Sequence, residues 1–329
     1  PVLRCKTESF WQYIHIRNLE ARVRIMGWRD VSEEEILLAN IEKYNNEHIL
    51  SYYRDFKEPR YAYAEYDVIF SAIVQMLATR SEQKLRAVDV CGGAGKSAFI
   101  LKKLVPQAEV TLVDLSEKML EIARQRSCEE KIGDIEMIQE DAVTFLQRDR
   151  QFDIIVFSSA IHHFKDPVTL LNSAAQRLSE QGVIITIAEP NTLTKTKRYK
   201  SLAFLFCCWA DKMTIMKRTI HRGMVFFTGE AAAAADDFDI AEYQAYKGID
   251  DLQLEHDLQA AGLNTLLHMQ YPAGGDPFMT QIMSLFKLHW AFCLVLTKQP
   301  WDDQKQVSDG LQSMISQGLP YKYICPLPE

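Results

Sequence analysis

The sequence lacks the paired cysteines that a disulfide framework or a zinc site requires. Its seven cysteines are odd in number and scattered, and no two of them form a C-x-x-C pair. A long hydrophobic run is also missing, because the most apolar stretch, residues 201–210, is too short to span a bilayer. No N-terminal stretch has the basic, apolar and small-residue succession of a signal peptide. These absences argue against a disulfide-stapled secreted domain and predict a soluble, cytoplasmic protein.

An excess of positive charge is absent as well. The formal net charge is −7, with acidic and basic residues interspersed, so the chain lacks the electrostatic footprint of a protein that binds duplex nucleic acid. Its 329 residues, 47% of them hydrophobic, are enough for one large α/β domain with elaborations. We therefore expect no DNA partner and no stable membrane insertion, whereas the oligomeric state is not determined by the sequence.

Hydrophobic periodicity divides the chain into five parts. Residues 1–80 carry apolar side chains at helical spacing and are predicted to form an N-terminal helical cap. In residues 81–190, five β-rich runs alternate with helical stretches, which predicts a parallel sheet with right-handed crossovers. Residues 191–248 interrupt the alternation as a lid insertion. Two more strands in 249–299 complete the sheet, and 300–329 form a tail with one short helix.

The loop after the first predicted strand, "VDVCGGAGKSAFIL" at residues 88–101, fits more than one cofactor. A P-loop requires G-x-x-x-x-G-K-[ST], but Val90 stands where its first glycine is needed, so a standard P-loop is excluded. The run from Gly93 to Ala98 satisfies G-x-G-x-x-A, and Asp114 ends the next predicted strand, as in a dinucleotide site. The loop alone leaves the choice between NAD and S-adenosylmethionine open.

Five segments in order resemble the motifs of class I S-adenosylmethionine-dependent methyltransferases of the small-molecule type. They are "VDVCGGAG", "VTLVDLSEKML", "IQEDA", "FDIIVFSSAIHHF" and "LSEQGVIITIAEP". The resemblance covers roughly residues 85–190 and resumes loosely at 249–297. It implies a Rossmann-like, doubly wound α/β fold with a mostly parallel seven-stranded sheet, N-terminal helices and a helical lid after the fifth strand. The chain departs from the family at Cys91, where glycine is usual.

The resemblance implies that S-adenosylmethionine is the cofactor. Gly92, Gly93 and Gly95 would let the backbone approach its methionine moiety, and Asp89 would accept from its ammonium group. Asp114 would accept from both ribose hydroxyls. The other residues expected at the cofactor are Cys91, Leu115, Met119, Asp141, Ala142 and Ser158. Taken singly, each of these carboxylates is also typical of an ordinary strand-end or helix cap.

Two adjacent histidines follow the fourth predicted strand, at the edge where such sheets bind ligands. A general base is needed only if the acceptor must lose a proton, as a phenol, an alcohol or a carbon acid does. His162 and His163 are both candidates, and His163 is preferred by resemblance to small-molecule methyltransferases with a histidine after this strand. Glu189 is the third catalytic candidate, and it would orient the acceptor or a histidine. Pro190 is expected to end the fifth strand's ladder and turn the chain into the site.

Aromatic side chains from outside the core are expected to line the acceptor pocket. The residues predicted to do so are Tyr61, Tyr63, Tyr66, Phe204 and Trp209. Such a pocket favours an apolar or aromatic acceptor, because stacking and exclusion of water give affinity without charge.

The predicted function is methyl transfer to oxygen, nitrogen or carbon of a small hydrophobic metabolite, in a cytoplasmic enzyme of secondary metabolism without a metal. A methyltransferase acting on a peptide, a carrier-bound substrate or RNA is the alternative, because basic residues cluster between 195 and 222. A less favoured alternative is an NAD-dependent oxidoreductase.

Overall fold

The computed structural model of the protein describes residues 31–55, 58–80, 83–197, 199–201, 239–245, 248–273 and 277–326. The predictions for the first thirty residues and for most of the lid insertion, including Phe204 and Trp209, concern residues outside these ranges. Within them, no helix combines the length and the apolar character needed to cross a lipid bilayer.

Seven strands in the described ranges form one mixed sheet. They are β1 (Arg86–Val90), β2 (Glu109–Asp114), β3 (Glu136–Gln139), β4 (Phe152–Ser158), β5 (Leu178–Pro190), β6 (Asn264–Tyr271) and β7 (Ala291–Thr297). Their order is β3-β2-β1-β4-β5-β7-β6, and of these seven only β7 runs antiparallel to its neighbours. The predicted Rossmann-like sheet is confirmed. Its order reverses between β1 and β4, where doubly wound folds bind ligands.

Helices cover both faces of the sheet. Those of the described ranges are α1 (Glu33–Tyr44), α2 (Glu47–Asp55), α3 (Ala64–Ala78), α4 (Lys96–Leu104), α5 (Glu117–Glu129), α6 (Ala142–Leu146), α7 (Pro167–Ala175), α8 (Asp251–Ala260), α9 (Pro277–Leu285) and α10 (Gln304–Gly318). Five of them begin at a side chain that accepts from the backbone N–H three residues further on. These N-caps are Ser32, Ser116, Asp141, Asp166 and Asp250.

Alternate strand residues point into two cores. In β1, Ala87 belongs to the core that contains α3, α4 and α10, whereas Val88 belongs to the core that contains α6, α7 and α8. Ile154 and Ile155 of β4 divide in the same way, and all four side chains are fully buried. Burial of each isoleucine contributes about 1.5–3 kcal/mol. Both faces of the sheet are thus covered by packed helices. A ligand can therefore approach the sheet at the carboxyl ends of its strands.

The region after β6 contains more helix than the sequence indicates. The short apolar stretch expected between the last two strands contains α9, and the expected short helix of the tail is α10, with 15 residues. Leu311 and Ile315 of α10 are fully buried and join the core with α3. The spacing of Leu311 and Ile315 agrees with this helix, because residues four apart lie on the same face of a helix.

The expectation that Pro190 ends the ladder of β5 is confirmed, because β5 ends at Pro190. Pro190 pairs with Ala291 of β7, and the next N–H, that of Asn191, donates to the carbonyl of Trp290 at 2.9 Å. Proline lacks only its own N–H. Its carbonyl still accepts, here from the N–H of Ile249 at 2.9 Å. The chain thus leaves the ladder after Pro190, which lines the cavity at the site, and continues to an isolated bridge between Asn191 and Ile249.

Candidate functional site

A broad cavity opens at the carboxyl ends of β1, β2 and β4. The predicted site residues that line it are Cys91, Gly92, Gly93, Asp114, Leu115, Met119, Asp141, Ala142, Ser158, His162 and His163, with Tyr61, Tyr63 and Tyr66 from the cap. Three others, Asp89, Gly95 and Glu189, are not among the lining residues. The fold thus brings residues from distant parts of the sequence to one edge of the sheet.

The loop after β1 is shaped for close approach of a ligand to the backbone. A Cβ on Gly92 would lie 2.5 Å from the carboxylate of Asp89 and would also collide with Leu112. Gly95 has a φ of +86°, which favours glycine. Cys91 adopts the same left-handed conformation, with a φ of +58°. The glycine usual in the resembled family would avoid the strain that a side chain brings there, which is of the order of 1–2 kcal/mol.

Asp114 ties the ends of β1 and β2 together. Its Oδ2 accepts from the N–H of Gly93 at 2.8 Å, and its Oδ1 accepts from the N–H of Ser116 at 2.8 Å. Burial raises the pKa of Asp114 to about 6, although both of these hydrogen bonds oppose the shift. Each oxygen keeps a lone pair for a further donor, because a carboxylate has about four acceptor sites. A pair of hydroxyl groups is therefore a suitable ligand for this side chain.

Asp89 lies beneath the glycine loop and is fully buried. Its Oδ2 accepts from the N–H of Ala98 at 3.0 Å, while Oδ1 has no partner among the described residues. Burial raises the pKa of Asp89 to about 7. An unpaired buried carboxylate is costly unless a cation or a donor approaches it. The loop and its two aspartates thus fit a ligand that carries both an ammonium group and hydroxyl groups.

The two histidines occupy different environments. Nδ1 of His162 lies 2.7 Å from Oε2 of Glu189, and its Nε2 lies 2.8 Å from Oε2 of Glu242. Nδ1 of His163 lies 2.5 Å from the carbonyl oxygen of Ala241, and its Nε2 lies 3.3 Å from the hydroxyl of Tyr44. His162 is thus enclosed by carboxylates, whereas His163 contacts only uncharged groups through its ring nitrogens.

Glu189 is fully buried and holds the turn that carries both histidines. Its Oε1 accepts from the N–H groups of Ala160 and Ile161 at 2.6 and 2.9 Å, and its Oε2 faces His162. Of its two predicted tasks, orienting the acceptor or orienting a histidine, this geometry favours the second.

Three residues at the site escape sequence reasoning. Lys43 and Tyr44 come from the end of α1, and Glu242 comes from the segment before α8. The ammonium of Lys43 lies 2.5 Å from Oε1 of Glu242 and 2.7 Å from Asp239. No motif marks these positions, because their contacts join residues far apart in the sequence, 119 positions for Tyr44 and His163 and 199 positions for Lys43 and Glu242.

The tyrosines of the cap form a second side of the cavity. The hydroxyl groups of Tyr66 and Ser158 lie 2.8 Å apart. The ammonium of Lys96 lies 4.7 Å and 4.4 Å from the ring centroids of Tyr63 and Tyr66, and it forms an ion pair with Glu58 at 2.7 Å. This part of the cavity therefore presents tyrosine rings beside a lysine that is already paired.

Ligand atoms of His162, His163 and Glu242 lie within 4.8 Å of one another, a spacing that a metal ion could bridge. These atoms already have partners among the described residues. His162 and Glu242 pair with each other and with Glu189 and Lys43, and the ring nitrogens of His163 face Ala241 and Tyr44. A proton shared between His162 and its carboxylates supplies positive charge at the same place. We therefore assign no metal to this cluster.

Comparisons with known proteins agree with this geometry. A family model described as a methyltransferase domain matches residues 81–226. A demethylmenaquinone methyltransferase of Thermotoga maritima is 32% identical over 136 residues, which are 41% of this chain and 55% of that protein. The ubiquinone/menaquinone biosynthesis C-methyltransferase UbiE of Pseudomonas entomophila is 27% identical over 39% of this chain and 52% of its own length. The chain thus spans about half the length of the curated relatives it matches.

Solved structures resemble the chain over a larger part of its length. The plantazolicin methyltransferase BpumL, solved with SAH, has a TM-score of 0.50 at 15% identity, over 81% of this chain and 97% of its own. An O-methyltransferase family protein of Burkholderia thailandensis has a TM-score of 0.50 at 13% identity, over 86% of this chain and 71% of its own. At such low identity these two show the fold alone. Residues 81–226 thus match a methyltransferase domain, and the order of the strands agrees with the resemblance to class I S-adenosylmethionine-dependent methyltransferases that the five sequence motifs indicate.

Proposed function

We propose that the whole protein transfers a methyl group from S-adenosylmethionine to a small, hydrophobic, aromatic acceptor. One observation carries the proposal. The glycine loop with Asp114 and the histidine turn with His163 line the same cavity, whose outer wall is aromatic. A cofactor held on one side and an acceptor held on the other would meet between them.

The residues of the loop fit the cofactor. The unpartnered Oδ1 of buried Asp89 suits an ammonium group, directly or through water, and Asp114 retains acceptor capacity for two ribose hydroxyls. Leu115 and Met119 would enclose the adenine. The side chain of Asp141 uses one oxygen to cap α6, at 2.9 Å from the N–H of Thr144, and its other oxygen would accept from the exocyclic amine. When bound, the cofactor supplies an electrophilic methyl group, so the protein's task is mainly to position the acceptor.

His163 is the proposed general base. Its Nδ1 faces a carbonyl, which cannot donate, so Nδ1 carries the proton and Nε2 is the accepting atom. An acceptor hydroxyl or acidic C–H would lose its proton to Nε2 as the new bond forms. Glu189 acts through His162 in this proposal and does not touch the acceptor, because both of its oxygens already have partners in the histidine turn.

The acceptor class is proposed from the cavity and from the relatives. Tyr61, Tyr63 and Tyr66 offer aromatic faces, which favour a planar apolar ring. The relatives are named as methyltransferases of demethylmenaquinone and of ubiquinone and menaquinone biosynthesis. We therefore propose a phenolic or quinol-like ring, methylated on carbon or oxygen. An acceptor carried on a peptide or another macromolecule is the alternative, which Lys195 and Lys200 at the cavity wall would favour.

Calorimetric titration tests the cofactor part of the proposal. S-adenosylmethionine and S-adenosylhomocysteine are expected to bind at micromolar concentration and NAD and ATP not to bind, and Asp114→Ala should weaken binding at least tenfold. Methyl transfer is then measured with small phenols and reduced quinones, and with short peptides as the competing acceptor class. Tight binding of NAD in place of S-adenosylhomocysteine would contradict the proposal.

A further inference from the structure

His162 has a carboxylate at each of its ring nitrogens. Glu189 lies 2.7 Å from Nδ1, and Glu242 lies 2.8 Å from Nε2. A neutral imidazole carries one N–H and could donate to only one of the two, whereas an imidazolium donates to both. The remaining oxygens of both carboxylates also have partners, so neither is free to rotate away. The two contacts therefore need two protons among the three groups, and an imidazolium between two carboxylates places both of them on the ring.

The charges around the two histidines come from three parts of the chain. They are Glu189 of β5, Lys43 and Tyr44 of α1, and Asp239 and Glu242 of the segment before α8. Asp239 and Glu242 pair with the ammonium of Lys43, and Glu189 adds a third carboxylate at His162, which leaves an excess of negative charge. A proton on His162 reduces this excess at the buried centre of the cluster, where an unpaired charge costs most.

His163 lies directly beside this cation. The ring centroids of His162 and His163 are 4.2 Å apart, so a second positive charge on His163 would be repelled at short range. The carbonyl of Ala241 fixes the remaining proton of His163 on Nδ1. Nε2 is then left without a proton, 3.3 Å from the hydroxyl of Tyr44, in a residue that lines the cavity.

We propose that His162 is a positioning residue: Glu189 and Glu242 hold it as a permanent imidazolium, and this fixed cation keeps the adjacent His163 neutral and ready to accept a proton. The inference deepens the proposed function and rests on it for the role of His163 in methyl transfer. The arrangement separates the two histidines that the sequence leaves equivalent. One supplies charge and the other supplies the accepting nitrogen.

The ionisation of both side chains agrees with this assignment. Burial alone would lower the pKa of His162, but the charges of Glu189 and Glu242 outweigh it and raise the pKa to about 10. Burial lowers the pKa of His163, and the charge of His162 lowers it further, to about 4, against the opposing charge of Glu242. At neutral pH the two rings are thus held in opposite protonation states.

Nitrogen-15 NMR of histidine-labelled protein tests the proposal, because ring nitrogen shifts distinguish imidazolium from either neutral tautomer. His162 is expected to stay doubly protonated up to pH 8, and His163 to stay neutral, with its proton on Nδ1, down to pH 5.5. In His162→Gln the fixed cation is lost, so the titration of His163 should move upward by about one pH unit or more. His256→Gln is the matched control, because His256 is 76% exposed and lies on α8.

The spectra require no methyl transfer, so a failure of this inference is distinguishable from a failure of the proposed function, which the cofactor titration detects. A neutral His162 at pH 8, a wild-type His163 that titrates near its ordinary pKa, or an unmoved His163 in His162→Gln would each overturn it. Zn²⁺ alone binding to the wild type but not to His162→Gln would overturn it too, because a metal would then supply the charge. If His162→Gln does not fold, the wild-type titration still decides.

Discussion

The hydroxyl of Ser116 lies 2.9 Å from Oδ1 of Asn45 and joins the N-terminal helices to the end of β2. The same oxygen caps α5 by accepting from the N–H of Met119 at 3.3 Å. Ser116 also donates its own N–H to Asp114. Ser116 thus connects a helix of the cap, the start of α5 and the aspartate proposed to bind ribose. These hydrogen bonds attach the cap to the core beside the cofactor loop.

Ser116→Ala is therefore expected to lower both stability and cofactor affinity. Loss of the N-cap costs about 1 kcal/mol of unfolding free energy. Asp250→Ala removes an equivalent cap from α8 and is the control, since Asp250 does not line the cavity. Urea denaturation should give similar losses for the two variants, whereas calorimetry should find weaker binding of S-adenosylhomocysteine only in Ser116→Ala. Equal affinity of both variants for S-adenosylhomocysteine would mean that the hydrogen bonds between Ser116 and the cap do not affect cofactor binding.

Gly92→Ala should abolish cofactor binding through the displacement of Asp89. The added methyl group would lie 2.5 Å from that carboxylate and has no space to relax, because Leu112 blocks the other side. Overpacking of this kind typically costs about 1–3 kcal/mol of stability. Gly310→Ala is the control: nothing lies within 4 Å of its added Cβ in α10, so stability should rise by about 0.5–1 kcal/mol. Calorimetry with S-adenosylhomocysteine and thermal unfolding would measure both effects.

The cofactor half of the site was predictable from local sequence, because strand, turn and helix patterns place loop residues at one sheet edge. Asp114 follows a run of four buried residues in β2, and the glycines follow β1. Such patterns extend over a few residues, so they can be recognised without knowledge of the tertiary fold.

The charge cluster was not predictable in the same way. Glu242 follows an insertion without clear periodicity, and Lys43 belongs to an ordinary amphipathic helix. Their meeting at His162 depends on how α1 and the segment before α8 pack together, which no spacing in the sequence records. The same holds for the burial of Glu189, whose position at a strand end predicts a carboxylate near the site but not which side chain it contacts.

A second histidine, His268, lies between two carboxylates, and the loss of its charge makes the free energy of unfolding fall at alkaline pH. Nδ1 of His268 lies 2.6 Å from Glu255, and Nε2 lies 2.7 Å from Asp251, so an imidazolium can donate to both carboxylates. Burial alone would lower the pKa of His268, but hydrogen bonds to Asp251 and Glu255 raise it to about 9. A raised folded-state pKa contributes stability that is fully present below the unfolded value of about 6.5 and is lost as the pH rises through about 9.

The unfolding free energy of the wild type is therefore expected to fall between pH 7 and pH 10 by of the order of 1–3 kcal/mol more than that of His268→Gln. Urea denaturation of both proteins at intervals of one pH unit measures the difference. His256→Gln should follow the wild type throughout, because His256 is exposed on α8. A constant difference between the wild type and His268→Gln across this range would show that His268 is not charged in the folded protein.

With S-adenosylmethionine saturating, so that the titration of Asp114 and Asp89 does not limit cofactor binding, kcat/KM for the acceptor should stay nearly constant as the pH falls from 7.5 to 5.5, if His163 is the base. Burial and the charge of His162 lower the pKa of His163 to about 4, so it remains unprotonated over this range. A base with the ordinary pKa of about 6.5 would instead lose about tenfold in kcat/KM over the same interval. His163→Gln cannot accept the proton and should lower kcat by about 10²–10⁴-fold with cofactor affinity unchanged. Turnover of both proteins, measured as a function of pH, tests whether His163 is the general base. Full activity of His163→Gln at every pH would show that it is not.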